Sequence, residues 1–206
     1  MEIEPRALSG GECYNLLVST VVPRPIAFIS SQDETGQVNL APFSYFNLVT
    51  TQPALVSISI GQRKWQGQRV KKDTLRNIER SGEFVINIAS VSLIDALNRT
   101  AAELPPGHSE LEAVGLTASP SRVVGPPRVA ECPVHLECKL ERVIMLGEHP
   151  QTGLVIGEVV HYHASDDVWD AAHHCVDPKR LDPLARLGGT FYAGLGALHS
   201  LPRPGR

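Results

Sequence analysis

The segment Val134 to Ile144 restricts this chain more than any other. Leu136, Cys138 and Leu140 alternate with His135, Glu137, Lys139 and Glu141. A period of two separates these sets onto opposite faces of an extended strand, whereas a helix would mix them. A strand of that kind must pair on both sides and lay its apolar face against a second layer or a barrel interior. Ala54 to Ile60 repeats the pattern, with Val56, Ile58 and Ile60 on one face and Ser57 and Ser59 on the other. Ile26 to Ser30 and Phe84 to Ile88 are short apolar runs of strand length, and Leu154 to His163 closes the set. Gln32 to Gly36 is a polar, glycine-closed hairpin loop, after which Gln37 to Leu40 returns.

Helical signals are fewer. Asp73 or Thr74 caps a predicted helix to about Arg80, with Leu75 and Ile78 inward and Gly82 as its stop. Ser92 with Asp95 opens a second, carrying Leu93, Leu97 and Leu104, and Ser109 with Glu112 starts a short third. Pro105-Pro106-Gly107 and Gly125-Pro126-Pro127 are expected as loops rather than linkers, because apolar patterning resumes on both sides. Hairpin-connected strands with interspersed helices argue against alternating βαβ units. The chain is therefore expected to be mainly β, a barrel or sandwich, with the closed barrel preferred because it leaves few edges.

With 206 residues, one domain is expected over 1–206. Apolar residues make up 42% and charged residues 20%, as in soluble globular proteins. The net charge is −3 with both signs mixed, so no basic face points to nucleic acid. No apolar run approaches the roughly 20 residues a membrane helix needs. Met1-Glu2-Ile3-Glu4 is acidic where a secretory leader would be basic, which predicts a cytoplasmic protein. Cys13, Cys132, Cys138 and Cys175 form no C-x-x-C pair and are expected as buried, reduced thiols.

Three stretches carry potential chemistry. Lys71-Lys72-Asp73-Thr74 places two lysines and a hydroxyl at a helix start, where free N–H groups attract anions. The same residues also describe an ordinary capped helix with solvated lysines. Ser57 and Ser59 run into Gly61-Gln62-Arg63-Lys64, which is either a polar ligand wall with a phosphate-binding arginine or a surface face with a basic loop. In Asn39 to Asn47, Pro42 holds Ala41 extended and small residues allow a flat ring near the backbone. Asn39, Ser44 and Asn47 offer hydrogen bonds there, while Phe43, Tyr45 and Phe46 are expected as core or dimer contacts. His161 and His163 share a strand face, and His173-His174-Cys175 lies beyond. Without an established ligand spacing, unpaired or solvated histidines are expected, and no metal. Gly194-Leu195-Gly196 is no dinucleotide fingerprint, lying too near the end for a helix and second strand.

Pro23-Arg24-Pro25-Ile26-Ala27, Asn39-Leu40-Ala41-Pro42-Phe43-Ser44 and Lys72-Asp73-Thr74 followed by Asn77-Ile78 occur in this order. Together they resemble the flavin reductase-like family, whose members bind FMN on a split β-barrel. The resemblance covers about 15–165, leaving 166–206 as a C-terminal extension whose Arg186 to Tyr192 is similar to a motif of one flavoprotein branch. It implies an antiparallel split β-barrel of Greek-key type with a few inserted helices. It further implies that Ser30, Ser31, Asn39, Ala41 and Ser44 line the ring and ribityl chain, and that Ser59, Arg63, Lys72 and Thr74 hold the phosphate. Arg186 and Gly188 would close the site. The implied activity is an FMN-dependent oxidoreductase with NADH or NADPH as donor and a small molecule or protein as acceptor. A homodimer with flavin near the interface goes with it, and neither nucleic acid nor membrane is involved. A site of this kind needs no catalytic acid or base from the chain, since the cofactor carries the redox chemistry. The alternative is a flavoredoxin-like electron carrier without its own NAD(P)H turnover. A relative that has lost flavin is a third reading, against which the intact motifs stand.

Overall fold

The computed structural model describes residues 2–102, 109–148, 150–202 and 204–205. A helix that the strand-dominated reading did not anticipate comes first, α1 (Gly10–Thr20). Its start is a capping box: Ser9 N donates to the Glu12 carboxylate (2.9 Å) and Glu12 N donates to Ser9 Oγ. The Ser-x-x-Glu spacing was the available signal. The chain then forms β1 (Arg24–Pro25), β2 (Ala27–Gln32), β3 (Val38–Phe43), β4 (Phe46–Thr51), β5 (Ala54–Ile60) and the small hairpin β6 (Gln62–Trp65) and β7 (Gln68–Lys71). Next come α2 (Asp73–Ser81), β8 (Glu83–Ile88), α3 (Ile94–Arg99), α4 (Glu110–Ala113), β9 (Ala118–Ser119) and β10 (Arg128–Val129). The long pair β11 (Val134–Leu146) and β12 (Thr152–Ala164) follows. The extension adds β13 (Trp169–Asp170), β14 (Cys175–Val176), α5 (Pro178–Leu181), β15 (Ala185–Arg186) and β16 (Tyr192–Ala193).

Seven strands make one antiparallel sheet in the order β3-β2-β8-β11-β12-β5-β4. Its outermost strands, β3 and β4, are separated in sequence by Ser44 and Tyr45 alone. The sheet must therefore curl until its edges meet at that corner, where Tyr45 O accepts from Ser59 N (2.8 Å). The two edges do not pair, so the barrel is split rather than closed. Pro42, which has no N–H to donate, is tolerated because β3 is an edge strand. Within Asn39 to Asn47, Asn39 to Phe43 thus belong to β3, Phe46 and Asn47 begin β4, and Ser44 and Tyr45 alone form the corner.

The alternating patterns translate directly into two packed layers. Ala27, Ile29, Phe43, Val56, Ile58, Ile60, Phe84, Ile86, Cys138 and Val155 fill the barrel interior together with Leu75 and Ile78 of α2. Phe84 lies against Gly157, where any side chain would collide with its ring. On the outer face of β2, β3 and β8, Phe28 and Leu40 pack under Leu97, Leu111, Leu116, Val129 and Leu184. Gly82 ends α2 at φ 70°, a conformation that glycine adopts without penalty. Leu104 and Pro105-Pro106-Gly107, named from sequence, lie outside the described residues. Ser92 falls in a short 3₁₀ turn (Val91–Leu93) and the α-helix starts only at Ile94, so it is not the cap of α3. Among the described residues, no helix is long and apolar enough to cross a membrane.

Candidate functional site

Two adjoining cavities open beside the corner. The smaller, about 110 Å³, is lined by Asn39, Ala41, Pro42, Arg63, Lys72, Asp73, Thr74, Thr100 to Ala102 and Glu110. The larger, about 450 Å³, takes in Tyr14, Arg24, Ser44, Tyr45, Ser59, Gly61, Thr152, Arg186 and Tyr192. Pro42, Lys72 and Ala101 border both, so a single ligand with a charged end and a broad body fits across them.

The helix α2 defines the charged end. Its N-cap is Lys72, not Asp73 or Thr74, and among the described residues no side-chain cap hydrogen bond closes its first turn. Asp73 is the first helical residue, and its carboxylate is held by Arg63 (3.1 Å) and Arg76 instead. The first-turn N–H groups therefore face the small cavity with the positive end of the helix behind them. Thr74 Oγ1 accepts from Asn39 Nδ2 (2.8 Å), which links α2 to edge strand β3. The Arg63 side chain is only 10% exposed, leans on the Trp65 ring, and has a buried Nε with no hydrogen-bond partner among the described residues. A buried donor without an acceptor costs about 1–3 kcal/mol. An anion in the cavity would relieve that cost.

Two carboxylates share this cavity, which sequence reading missed. Besides Asp73, Glu110 accepts a hydrogen bond from Leu40 N (3.0 Å). Burial pushes the Glu110 carboxyl above its ordinary range against the lowering effect of that bond, and the nearby Asp73 charge adds to the rise.

Eight expected residues are thus brought to the cavities: Asn39, Ala41, Ser44, Ser59, Arg63, Lys72, Thr74 and Arg186. Ser30, Ser31 and Gly188 are not. Ser30 is fully buried on the outer face of β2, donating to Pro127 O and accepting from Asn87 Nδ2 (3.2 Å). Ser31 is fully buried and accepts from Asn77 Nδ2 (3.2 Å). Their hydroxyls hold the scaffold behind the site. Gly188 packs on Ser19 of α1, where a Cβ would lie 3.1 Å from the Ser19 backbone. Gly61, which follows β5, borders the larger cavity, and a Cβ there would meet no described atom of the chain within 4 Å.

The histidines are more engaged than expected. Glu137 is fully buried, and its carboxylate accepts from Arg122 N (2.8 Å), Val123 N (2.6 Å) and Val124 N (3.2 Å) and pairs with His163 (2.6 Å). Burial alone would raise this carboxyl, but those hydrogen bonds outweigh it and hold it down at about 2. His161 packs edge-on to His163. His173 pairs with Asp170 (2.7 Å). Cys132 and Cys138 are buried, but Cys175 is exposed and Cys13 partly so, and all four are free thiols. Among the described residues, no group of three metal-ligating side chains converges.

The comparisons agree with this geometry. Residues 18–184 match the flavin reductase like domain. An uncharacterized protein of Halalkalibacterium halodurans is 42% identical over 99% of this chain and 97% of its own length. Nitrilotriacetate monooxygenase component B from Bacillus cereus superposes with a TM-score of 0.90 at 40% identity, covering 98% of each chain. Pseudomonas fluorescens 2-nitrobenzoate 2-nitroreductase gives 0.89 at 30% identity, covering 100% of this chain and 97% of that one. Sequence motifs, split sheet and matched span lead to one assignment: the chain belongs to the flavin reductase-like family.

Proposed function

We propose that this protein is an FMN-dependent oxidoreductase that takes a hydride from NADH or NADPH and passes electrons to a small-molecule or protein acceptor. The observation that carries the proposal is the uncapped start of α2 facing a cavity with the unpartnered Arg63 Nε. That donor set fits a phosphate monoester. When bound, the flavin supplies the redox chemistry. The chain holds and orients it. Arg63, Lys72, Thr74 and the first-turn N–H groups of α2 take the phosphate, while Asn39 and Ala41 border the passage toward the larger cavity. Ser44 and Ser59 offer polar contacts to the ring edge, and Arg186 approaches from the C-terminal extension. The monooxygenase component and the nitroreductase among the similar structures support an oxidoreductase.

The active form in this reading is a homodimer. An apolar cavity of about 380 Å³, lined by Leu17, Val21, Pro23, Pro25 and Phe46, adjoins the cleft through Arg24, Ser44 and Tyr45. Around it Tyr14, Val22, Leu48 and Val49 are exposed. A contiguous apolar surface beside a ligand cleft suits a second copy.

The test is the visible spectrum with FMN or FAD, followed by anaerobic NADH and NADPH. Tight FMN binding and rapid bleaching by one nicotinamide are expected. Bound flavin that neither nicotinamide reduces would replace the reading with an electron carrier, and absence of flavin binding would reject it. Sedimentation of the same sample checks the dimer.

A further inference from the structure

Arg24 is only 7% exposed although it borders the cleft. Its Nη1 donates to Val18 O (2.7 Å) and Val21 O (2.9 Å), carbonyls at the C-terminal end of α1. Its Nη2 donates to Leu187 O (2.9 Å) in the C-terminal extension, and its Nε donates to Ser44 Oγ (3.3 Å) at the barrel corner. Four of the five guanidinium N–H groups are thus committed to the protein. No carboxylate pairs with Arg24 among the described residues, so its charge is met by carbonyl dipoles and the negative end of α1.

The segment so tied is the one that brings Arg186 to the cleft. β1 pairs with β15 with Arg24 opposite Arg186, and β15 pairs with β16 with Arg186 opposite Tyr192. Arg186 lies over the Tyr192 ring (4.4 Å to its centre) and donates to Gly189 O. Unlike Arg24, it keeps most of its donors for a ligand.

We infer that Arg24 is a positioning residue: through Leu187 O it sets where Arg186 stands over the cleft, and through Ser44 Oγ it sets the polar corner. This rests on the reading of the cleft as a flavin site. A lysine keeps the charge but has no planar fork to reach acceptors on three separate segments.

The experiment uses the full-length protein as Arg24→Lys, Arg186→Gln and the double variant, with FMN as probe. Two quantities are read: the FMN dissociation constant by flavin fluorescence, and backbone hydrogen exchange over 185–193. Arg24→Lys should accelerate exchange in that segment at least tenfold while β8 and β11 keep their protection. It should weaken FMN several-fold in the native background and by a clearly smaller factor once Arg186 is already Gln, because only the Ser44 arm is then left to lose. Equal losses in the two backgrounds, no loss at all, or unchanged exchange over 185–193 would overturn the inference while leaving the flavin reading intact. If the unaltered protein binds no FMN, the flavin reading falls, and the exchange measurement alone decides what Arg24 holds.

Discussion

Of the arginines that border the cleft, Arg24 and Arg63 are both about nine-tenths buried, and they are equipped in opposite ways. Arg24 gives four hydrogen bonds to α1, the corner and the extension. Arg63 meets Asp73 and the Trp65 face but leaves its Nε without a partner. A guanidinium with four of its five N–H groups committed belongs to the scaffold, since a ligand would compete with contacts already made. In the proposed function, the donor that Arg63 leaves uncommitted among the described residues, next to the start of α2, would go to an anion, and its missing bond is a cost that the ligand would relieve. Charge and burial are nearly the same in both regions. The difference lies in where the donors end.

The strongest challenge to this contrast is Arg63→Met. It should weaken FMN by about 10- to 150-fold, the equivalent of a charge-assisted hydrogen bond of roughly 1.5–3 kcal/mol, with little change in melting temperature. Fluorescence titration beside calorimetry checks both halves. If stability fell and affinity stayed, Arg63 would be scaffold and the contrast would be lost.

Arg24→Met should show the opposite emphasis. Stranding buried carbonyls should cost about 1–3 kcal/mol, which lowers the melting temperature by ~2–12 °C in a chain of this size. An unchanged melting temperature would mean that the hydrogen bonds of Arg24 are dispensable.

Behind the sheet, His135 gives a third, purely structural region for comparison. Its Nε2 contacts Val129 O (2.8 Å), and burial, reinforced by the Arg128 and His163 charges, lowers its pKa from 6.5 to about 4. The unfolded chain therefore takes up a proton first, so stability is full above about pH 6.5 and falls as pH drops toward 4. That slope amounts to roughly 3 kcal/mol. Denaturant titrations across this range should show it flattened in His135→Gln, and a slope unaffected by the substitution would remove His135 from the account.

The smallest effect is expected at Glu110. Glu110→Gln removes a negative charge from the smaller cavity and keeps an acceptor for Leu40 N. FMN should bind a few-fold more tightly at pH 8. Because the Glu110 carboxyl is already raised by burial, the advantage should shrink as pH falls and the native carboxyl becomes protonated. A variant that binds no more tightly at pH 8 would place Glu110 outside the reach of the ligand.

The large sheet strands were legible because period-two alternation records which face of a strand is buried. Val56, Ile58 and Ile60 point inward as their spacing requires. α2 was legible through Leu75, Ile78 and Gly82, although its cap was misplaced by one residue: Asp73 resembles a cap, but Arg63 and Arg76 hold its carboxylate elsewhere. α1 was missed because strands dominated the reading and the Ser9–Glu12 box was overlooked. Asn39, Arg63, Lys72 and Thr74, distant in sequence, border one cavity from β3, β6 and the start of α2. Ser30 and Ser31 did not follow, because consecutive residues on a strand point to opposite faces and both faces of β2 are covered.

By itself, then, the sequence determined the long strands, the mainly β architecture and the family resemblance, because these depend on local periodicity and on the order of short motifs. The resemblance implied a split barrel, but periodicity alone favoured a closed one; tertiary structure supplied the reason for the split, since the sheet order makes β3 and β4 unpaired edges two residues apart in the chain. It also decided the roles of the charged groups. Arg24 and Arg63 look alike in sequence, and the carbonyls of Val18, Val21 and Leu187 that consume the donors of the first come from segments that only folding brings together.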